Sequence, residues 1–273
     1  MLEYPEINTI VKQMAEVLPG KTVESGEVVK KIGNLFMSDE DAAKYSLLRG
    51  GTVVEIDRLE PDIYIKLDNG YGILFCQCGG RILYNETQAD APRVYNIIFR
   101  FTDGSSLTYT MSLFSLGIYA VSHEDWANRK KSSAKFDPLG GSFGDYMDFV
   151  SLCDGQEKTP MKIFLATYMR GIMSTFAAEI LLYAQIYPST QLKKLSAEEH
   201  RRVYEAMQKV LTSACDLGGR VNECDLYGKK GKYVAMAERK HIGEPCPVCA
   251  AELGKVSVGG VTAFCPQCQV KKK

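Results

Sequence analysis

Residues 246–268 read CPVCAAELGKVSVGGVTAFCPQC. The stretch opens on Cys246 and Cys249 and closes on Cys265 and Cys268, with fifteen residues between the pairs. A C-x-x-C turn aims two thiolates at one point, and two such turns complete a tetrahedron around zinc. Four thiolates leave no open coordination position, so the expected ion is structural, one Zn per chain. Binding it would supply much of the folding energy of so small a module. The intervening residues are β-rich at both ends and carry Gly259-Gly260 in the middle, the pattern of a hairpin. The remaining cysteines do not extend the pattern. The chain has nine in all, an odd number that rules out complete disulfide pairing, and Cys76 and Cys78 in FCQCGG read as strand or core thiols.

Upstream of the cysteines, residues 145 to about 219 read as helical. DYMDFVSLC, TPMKIFLATYMR, TFAAEILLYAQI and SAEEHRRVYEAMQKVLTSACDLGG follow one another. Ser196 with Glu199 three residues on is a capping box, Val203, Met207, Val210, Leu211, Ala214 and Leu217 form a buried stripe, and Gly218-Gly219 is a C-terminal cap. The polar segment 123–144, rich in Gly, Ser and Lys, reads as a linker. Before it, residues 52–122 break into short β-branched or aromatic runs, with Asp68-Asn69-Gly70 and Asp103-Gly104 as turn signals, and predict an antiparallel two-layer sandwich. Residues 5–18 place Ile7, Ile10, Val11, Met14, Val17 and Leu18 on one helix face, with Pro5 in the first turn and Pro19-Gly20 as the stop. The fold class is α+β: an N-terminal helix with a β-sandwich over 1–125, a linker over 126–144, a helical domain over 145–228 and a cysteine hairpin domain over 229–273.

With 273 residues, 33 basic against 33 acidic side chains and 45% hydrophobic content, the chain is globular and long enough for two domains. Zero formal net charge excludes a uniformly basic nucleic-acid coat but not a local basic groove. No run approaches the ~18–20 apolar residues of a membrane span. The start, MLEYPEINTIVKQM, lacks the basic, then apolar, then small-residue pattern of a signal peptide. The expected setting is cytoplasmic, without membrane partners, as a monomer.

The order helix, sandwich, helices, cysteine hairpin resembles the formamidopyrimidine-DNA glycosylase and endonuclease VIII family. MLEYPEINTIV is similar to that family's M-P-E-L-P-E-V-E-T start. MKIFLATYMRGIMSTFAAEILLYAQIYP resembles its helix-two-turn-helix segment, CDLGGRVNECDLYGKKGKYVAMAERKHIGEPCPVC the loop entering its zinc finger, and VGGVTAFCPQCQ the finger's terminal hairpin. The resemblance implies a base-excision repair enzyme that binds damaged double-stranded DNA in a cleft between sandwich and helices and flips a nucleotide out of the stack. It implies hydrolysis of the N-glycosidic bond, with or without strand nicking through an amine-derived Schiff base, and a glutamate that moves protons. Onto this chain it places a catalytic end at Met1, Leu2, Glu3 and Glu6. It places DNA contacts at Lys162, Arg170, Ser174, Thr175, Arg220, Lys232 and Thr262.

The chain departs from the family at several of these points. Leu2 stands where the family has its nucleophilic proline, and so bulky a residue should leave Met1 in place, moving the free amine by about 3.5 Å. Glu3 keeps the acid/base position and Glu6 matches a second carboxylate, although both also suit the first turn of a helix. GIMSTF replaces the segment that bears a phosphate-gripping Asn, leaving Ser174 or Thr175 in its stead. Val261 and Thr262 occupy the place of the finger's Arg, and Phe114 or Leu116 are the residues available as an apolar wedge. Three readings follow: a divergent glycosylase working through the Met1 amine or an activated water, a retired glycosylase scaffold that binds damaged or structured DNA without excision, and a zinc-ribbon protein that binds RNA or protein.

Overall fold

The computed structural model describes residues 1–29, 38–77, 79–111, 117–133, 135–140 and 146–272. Cys78, Phe114 and Leu116 lie outside them. The chain forms two compact units, Met1–Ser133 with Gly218–Lys232, and Ala134–Leu217 with Tyr233–Lys273. Residues 218–232 therefore group with the N-terminal sandwich and not with the helices that precede them in sequence.

The first unit opens with α1 (Tyr4–Val17), whose apolar face buries Ile7, Ile10 and Met14. The strands are β1 (Val23–Val28), β2 (Val53–Leu59), β3 (Asp62–Leu67), β4 (Tyr71–Cys76), β5 (Arg81–Asn85), β6 (Ile97–Phe101), β7 (Ser106–Thr110) and β8 (Gly117–Ser122), with a short α2 (Asp39–Ala43) after β1. They make two antiparallel four-stranded sheets, ordered β1-β6-β7-β5 and β2-β3-β4-β8. Phe75 of one sheet meets Phe99 and Tyr109 of the other edge-on, at 6.5 and 6.0 Å between ring centroids, which closes the expected sandwich. Gly70 and Gly104, at φ of 90° and 87°, turn the β3–β4 and β6–β7 hairpins in a backbone region that a Cβ disfavours.

The segment read as a linker begins as a helix. α3 (His123–Ser132) is capped by Ser122, whose Oγ accepts the Asp125 N–H at 3.1 Å. Its polar composition hides a single buried apolar anchor, beside the ion pairs of Arg129 with Asp62 and Lys130 with Asp57. Trp126 is buried, stacks on Tyr64 at 4.8 Å and donates its indole N–H to Asp57 at 2.8 Å. A solvated helix held by one aromatic has too little apolar periodicity to show in sequence.

The second unit contains α4 (Tyr146–Ser151), α5 (Met161–Tyr168), α6 (Ser174–Ala184) and α7 (Ala197–Asp216), then a hairpin of β9 (Gly254–Ser257) and β10 (Val261–Phe264). Phe149, Phe164, Phe176 and Leu181 fill its core. Ser196 caps α7 as expected, with Glu199 N–H donating to its Oγ at 3.2 Å. Leu217 leaves the stripe: it is the C-cap and is 40% exposed. No helix among the described residues is long and apolar enough to cross a membrane.

Candidate active site and metal centre

The N-terminus of α1 is built around buried charge. The Glu3 N–H donates to Glu6 Oε2 at 2.8 Å, which closes the first turn. Arg220, from the segment that rejoins the first unit, then reaches both carboxylates. Its Nε and Nη2 donate to Glu6 Oε1 and Oε2 at 3.1 and 3.0 Å, and its Nη1 lies 3.5 Å from Glu3 Oε1. The Arg220 backbone N–H also donates to Glu6 Oε1 at 2.9 Å, and Nη2 donates to the Met1 carbonyl at 2.9 Å. All three side chains are buried. Burial works against the Arg220 charge, but Glu6 and Glu3 beside it, with Glu223 further out, hold its pKa above the usual arginine value. Gly219 makes this approach possible, because a Cβ there would sit 2.8 Å from Glu6 Cγ.

This arrangement corrects three of the expected roles. Arg220 is not open to a DNA phosphate, since its guanidinium is spent on Glu6 and Glu3. Glu6 is a structural partner, with both oxygens taken by Arg220. Leu2, at 2% exposure, is part of the sandwich core and offers no chemistry. Glu3 keeps its place beside the N-terminus but is ion-paired.

Met1 behaves differently. It is 40% exposed, and its α-amine lies 3.6 Å from Glu223 Oε1. Both border a pocket of about 700 Å³ inside the first unit, whose wall also carries Arg81, Asn222 and Lys230. Sequence reasoning found the Met1 amine but not Glu223 or Arg81. The only available signal was the loop RVNECDLYG, where a carboxylate follows the paired glycines closely enough to return to the chain's start.

In the second unit, the Sγ atoms of Cys246, Cys249, Cys265 and Cys268 all lie within 4.8 Å of one another. A zinc tetrahedron with bonds of about 2.3 Å has sulfur–sulfur edges of about 3.8 Å, so the set fits the ion. Two of the sulfurs already accept knuckle N–H groups: Val248 donates to Cys246 at 3.4 Å and Cys268 to Cys265 at 3.3 Å. Burial works to raise the Cys265 thiol, but the Cys268 N–H and the neighbouring Cys249 bring it down to about 7. Behind the cluster, Glu179 of α6 is fully buried, with Tyr233 OH and the Ala237 N–H donating to it at 3.1 and 2.7 Å. Burial pushes its pKa up to about 7 against these hydrogen bonds.

The expected DNA contacts of this unit divide by exposure. Lys162 is 1% exposed in the first turn of α5, where its N–H bonds the Pro188 carbonyl at 3.3 Å, so it is not a surface cation. Thr262 is buried and donates to the Ala237 carbonyl at 2.6 Å, tying β10 to the chain after Tyr233. Arg170 turns its Nε to the Lys135 carbonyl at 3.1 Å, with Nη1 4.0 Å from Asp137. Ser174 is exposed at the start of α6 and donates to the Gly259 carbonyl at 3.4 Å, bringing that helix and the hairpin turn together, with Thr175 half-buried beside it. Lys232, in the first unit, is exposed with Lys229 and Lys230.

A helix-led sandwich carrying buried carboxylates at its N-terminus, with a helical unit that ends in a four-cysteine hairpin, defines the class: a two-unit α+β protein with a cysteine cluster able to hold a metal ion and a pocket beside its N-terminus. The family profile described as the formamidopyrimidine-DNA glycosylase N-terminal domain matches residues 1–112. Formamidopyrimidine-DNA glycosylase of Lactobacillus helveticus is 26% identical over 99% of both chains, and that of Cytobacillus firmus 27% identical over 99% of this chain and 100% of its own. The solved complex of Lactococcus lactis Fpg with DNA containing an abasic site has a TM-score of 0.83 at 22% identity, covering 98% of this chain and 100% of that one. Residues 1–112 thus match the formamidopyrimidine-DNA glycosylase N-terminal domain, and the chain is similar to formamidopyrimidine-DNA glycosylases along its whole length.

Proposed function

We propose that the protein is a base-excision DNA glycosylase that binds lesion-bearing duplex DNA, flips the damaged nucleotide and releases its oxidised base. One observation carries the reading. Met1, whose α-amine is 3.6 Å from Glu223 Oε1, lines a pocket of about 700 Å³ together with Arg81, Glu223 and Lys230. An amine, a carboxylate and two cations in one cavity suit attack at a sugar carbon flanked by phosphates. The relatives named formamidopyrimidine-DNA glycosylase, and the Lactococcus lactis Fpg structure solved with abasic-site DNA, support the same substrate class.

The other assignments belong to this reading. Cys246, Cys249, Cys265 and Cys268 hold one structural zinc in a C-terminal finger over 229–273. The helices between residues 146 and 217 act as the helix-two-turn-helix region, and Arg170, Ser174, Thr175 and Lys232 are the phosphate contacts. The protein works as a monomer in the cytoplasm. The test is incubation with duplexes carrying a formamidopyrimidine lesion or an abasic site. Binding at low salt with release of the lesion base is the expected result, and failure to bind either duplex overturns it.

A second reading is favoured by one specific feature. The Glu3 carboxylate, which the resemblance assigns to proton transfer, is locked against Arg220 at 3.5 Å. A scaffold that binds damaged DNA without excising bases would tolerate that pairing, and it would show binding without base release.

A further inference from the structure

We propose that Glu223 is the proton carrier for the Met1 α-amine, and that the two form the imine-making pair of this site. The inference rests on the glycosylase reading and deepens it by naming the groups that react with the aldehyde of an abasic sugar. Three observations carry it. The Met1 nitrogen lies 3.6 Å from Glu223 Oε1, a small side-chain rotation or one water away from proton-transfer distance. Both groups border the same open pocket, while Glu3, at 2% exposure, does not line it. Arg220 lies within ion-pair distance of all three carboxylates, 3.0 Å from Glu6, 3.5 Å from Glu3 and 3.7 Å from Glu223. Glu223 Oε1 is the oxygen between the two cations, 3.6 Å from the Met1 nitrogen and 3.7 Å from Arg220 Nη2, so of the three Glu223 is the carboxylate that the amine meets.

The step balances within these groups. The ammonium gives one proton to Glu223, and its freed lone pair adds to C1′ of the ring-opened sugar as the C1′–O π electrons move to oxygen. The oxygen takes protons from the nitrogen and from Glu223 and leaves as water. Overall an ammonium and an aldehyde give a protonated imine and one water, and Glu223 ends as it began. Arg81 and Lys230, on the same wall, are the cations for the flanking phosphates. Lys230 is also the competing amine.

The test is reductive trapping of the full chain on an abasic duplex with cyanoborohydride, followed by proteolysis and mass spectrometry of the adduct. The expected adduct is on the α-nitrogen of the N-terminal peptide. Glu223→Gln should slow its formation by roughly 100-fold at saturating DNA with the affinity for the duplex unchanged, and Glu223→Asp should recover part of the rate. A loss that was only structural would weaken binding as well and would not return with Asp. An adduct on Lys230, base release with no adduct, or trapping by Glu223→Gln at the unmodified rate overturns the Met1–Glu223 assignment and leaves the glycosylase reading standing. Failure to bind abasic or lesion duplex overturns both.

Discussion

Arg220 grips Glu6 at both carboxylate oxygens, with Nε at 3.1 Å and Nη2 at 3.0 Å, although the two residues are 214 positions apart in the chain. The pair is buried, so its value lies in what would remain if one member were lost. Arg220→Ala strands Glu6 and Glu3 without a counter-charge and is expected to destabilise the first unit by about 3–5 kcal/mol. Arg220→Lys keeps the charge but not the fork and should recover only part of that loss. Urea unfolding followed by Trp126 fluorescence checks both, because the only tryptophan of the chain is buried in this unit.

Glu179 makes the stability of the second unit pH-dependent in a defined direction. Its pKa is raised from 4.5 to about 7 in the fold, so the neutral form is the one the fold favours. Its contribution is therefore fully present below pH 4.5 and is lost as pH rises through about 7. Glu179→Gln keeps an acceptor for the Ala237 N–H and removes the buried charge. The variant should show a flatter stability curve between these pH values and should be the more stable protein at pH 8. Thermal melts across that range decide it; equal slopes in the two proteins would refute it.

Cys249→Ser removes one of four thiolates that lie within 4.8 Å of one another. The expected outcome is loss of the metal proposed for this site, together with faster amide exchange in β9 and β10, while the sandwich strands keep their protection. Metal analysis with site-resolved hydrogen exchange measures both. Retention of stoichiometric zinc by the variant would contradict the four-ligand site.

Exposed and buried lysines should differ in how they respond to salt. Lys232→Ala is expected to weaken DNA binding across sequences and to reduce the slope of log K against log salt by about 1. Lys162→Met, at a 1% exposed position, should leave that slope unchanged. Fluorescence anisotropy titrations between low and moderate salt separate the two, and an equal change in slope for both variants would restore Lys162 to the surface role first expected of it.

The parts of the fold that sequence made legible are those set by near neighbours. The cysteine knuckles, the Gly259-Gly260 turn, the Ser196–Glu199 cap and the strand alternation of 52–122 each depend on residues a few positions apart. The parts that escaped depend on partners far along the chain. Arg220 looks like a surface cation until Glu3 and Glu6 are brought to it, and Lys162 looks the same until α5 packs its first turn against Pro188. α3 was hidden for the opposite reason, since one buried Trp126 against Asp57 and Tyr64 leaves no periodic stripe. Glu223 gained its importance only when the loop beyond Gly218-Gly219 returned to Met1.

That return has a consequence for how the protein is made. The sandwich is completed by a segment translated after every helix of the second unit, and Leu226 must emerge before its carbonyl can accept the Tyr84 N–H at 2.9 Å. On the ribosome the first-made half therefore carries Glu3 and Glu6 before the arginine that pairs with them in the fold is synthesised. A fragment ending after α3 would carry the strands but not the counter-ion, which arrives only with residues 218–232.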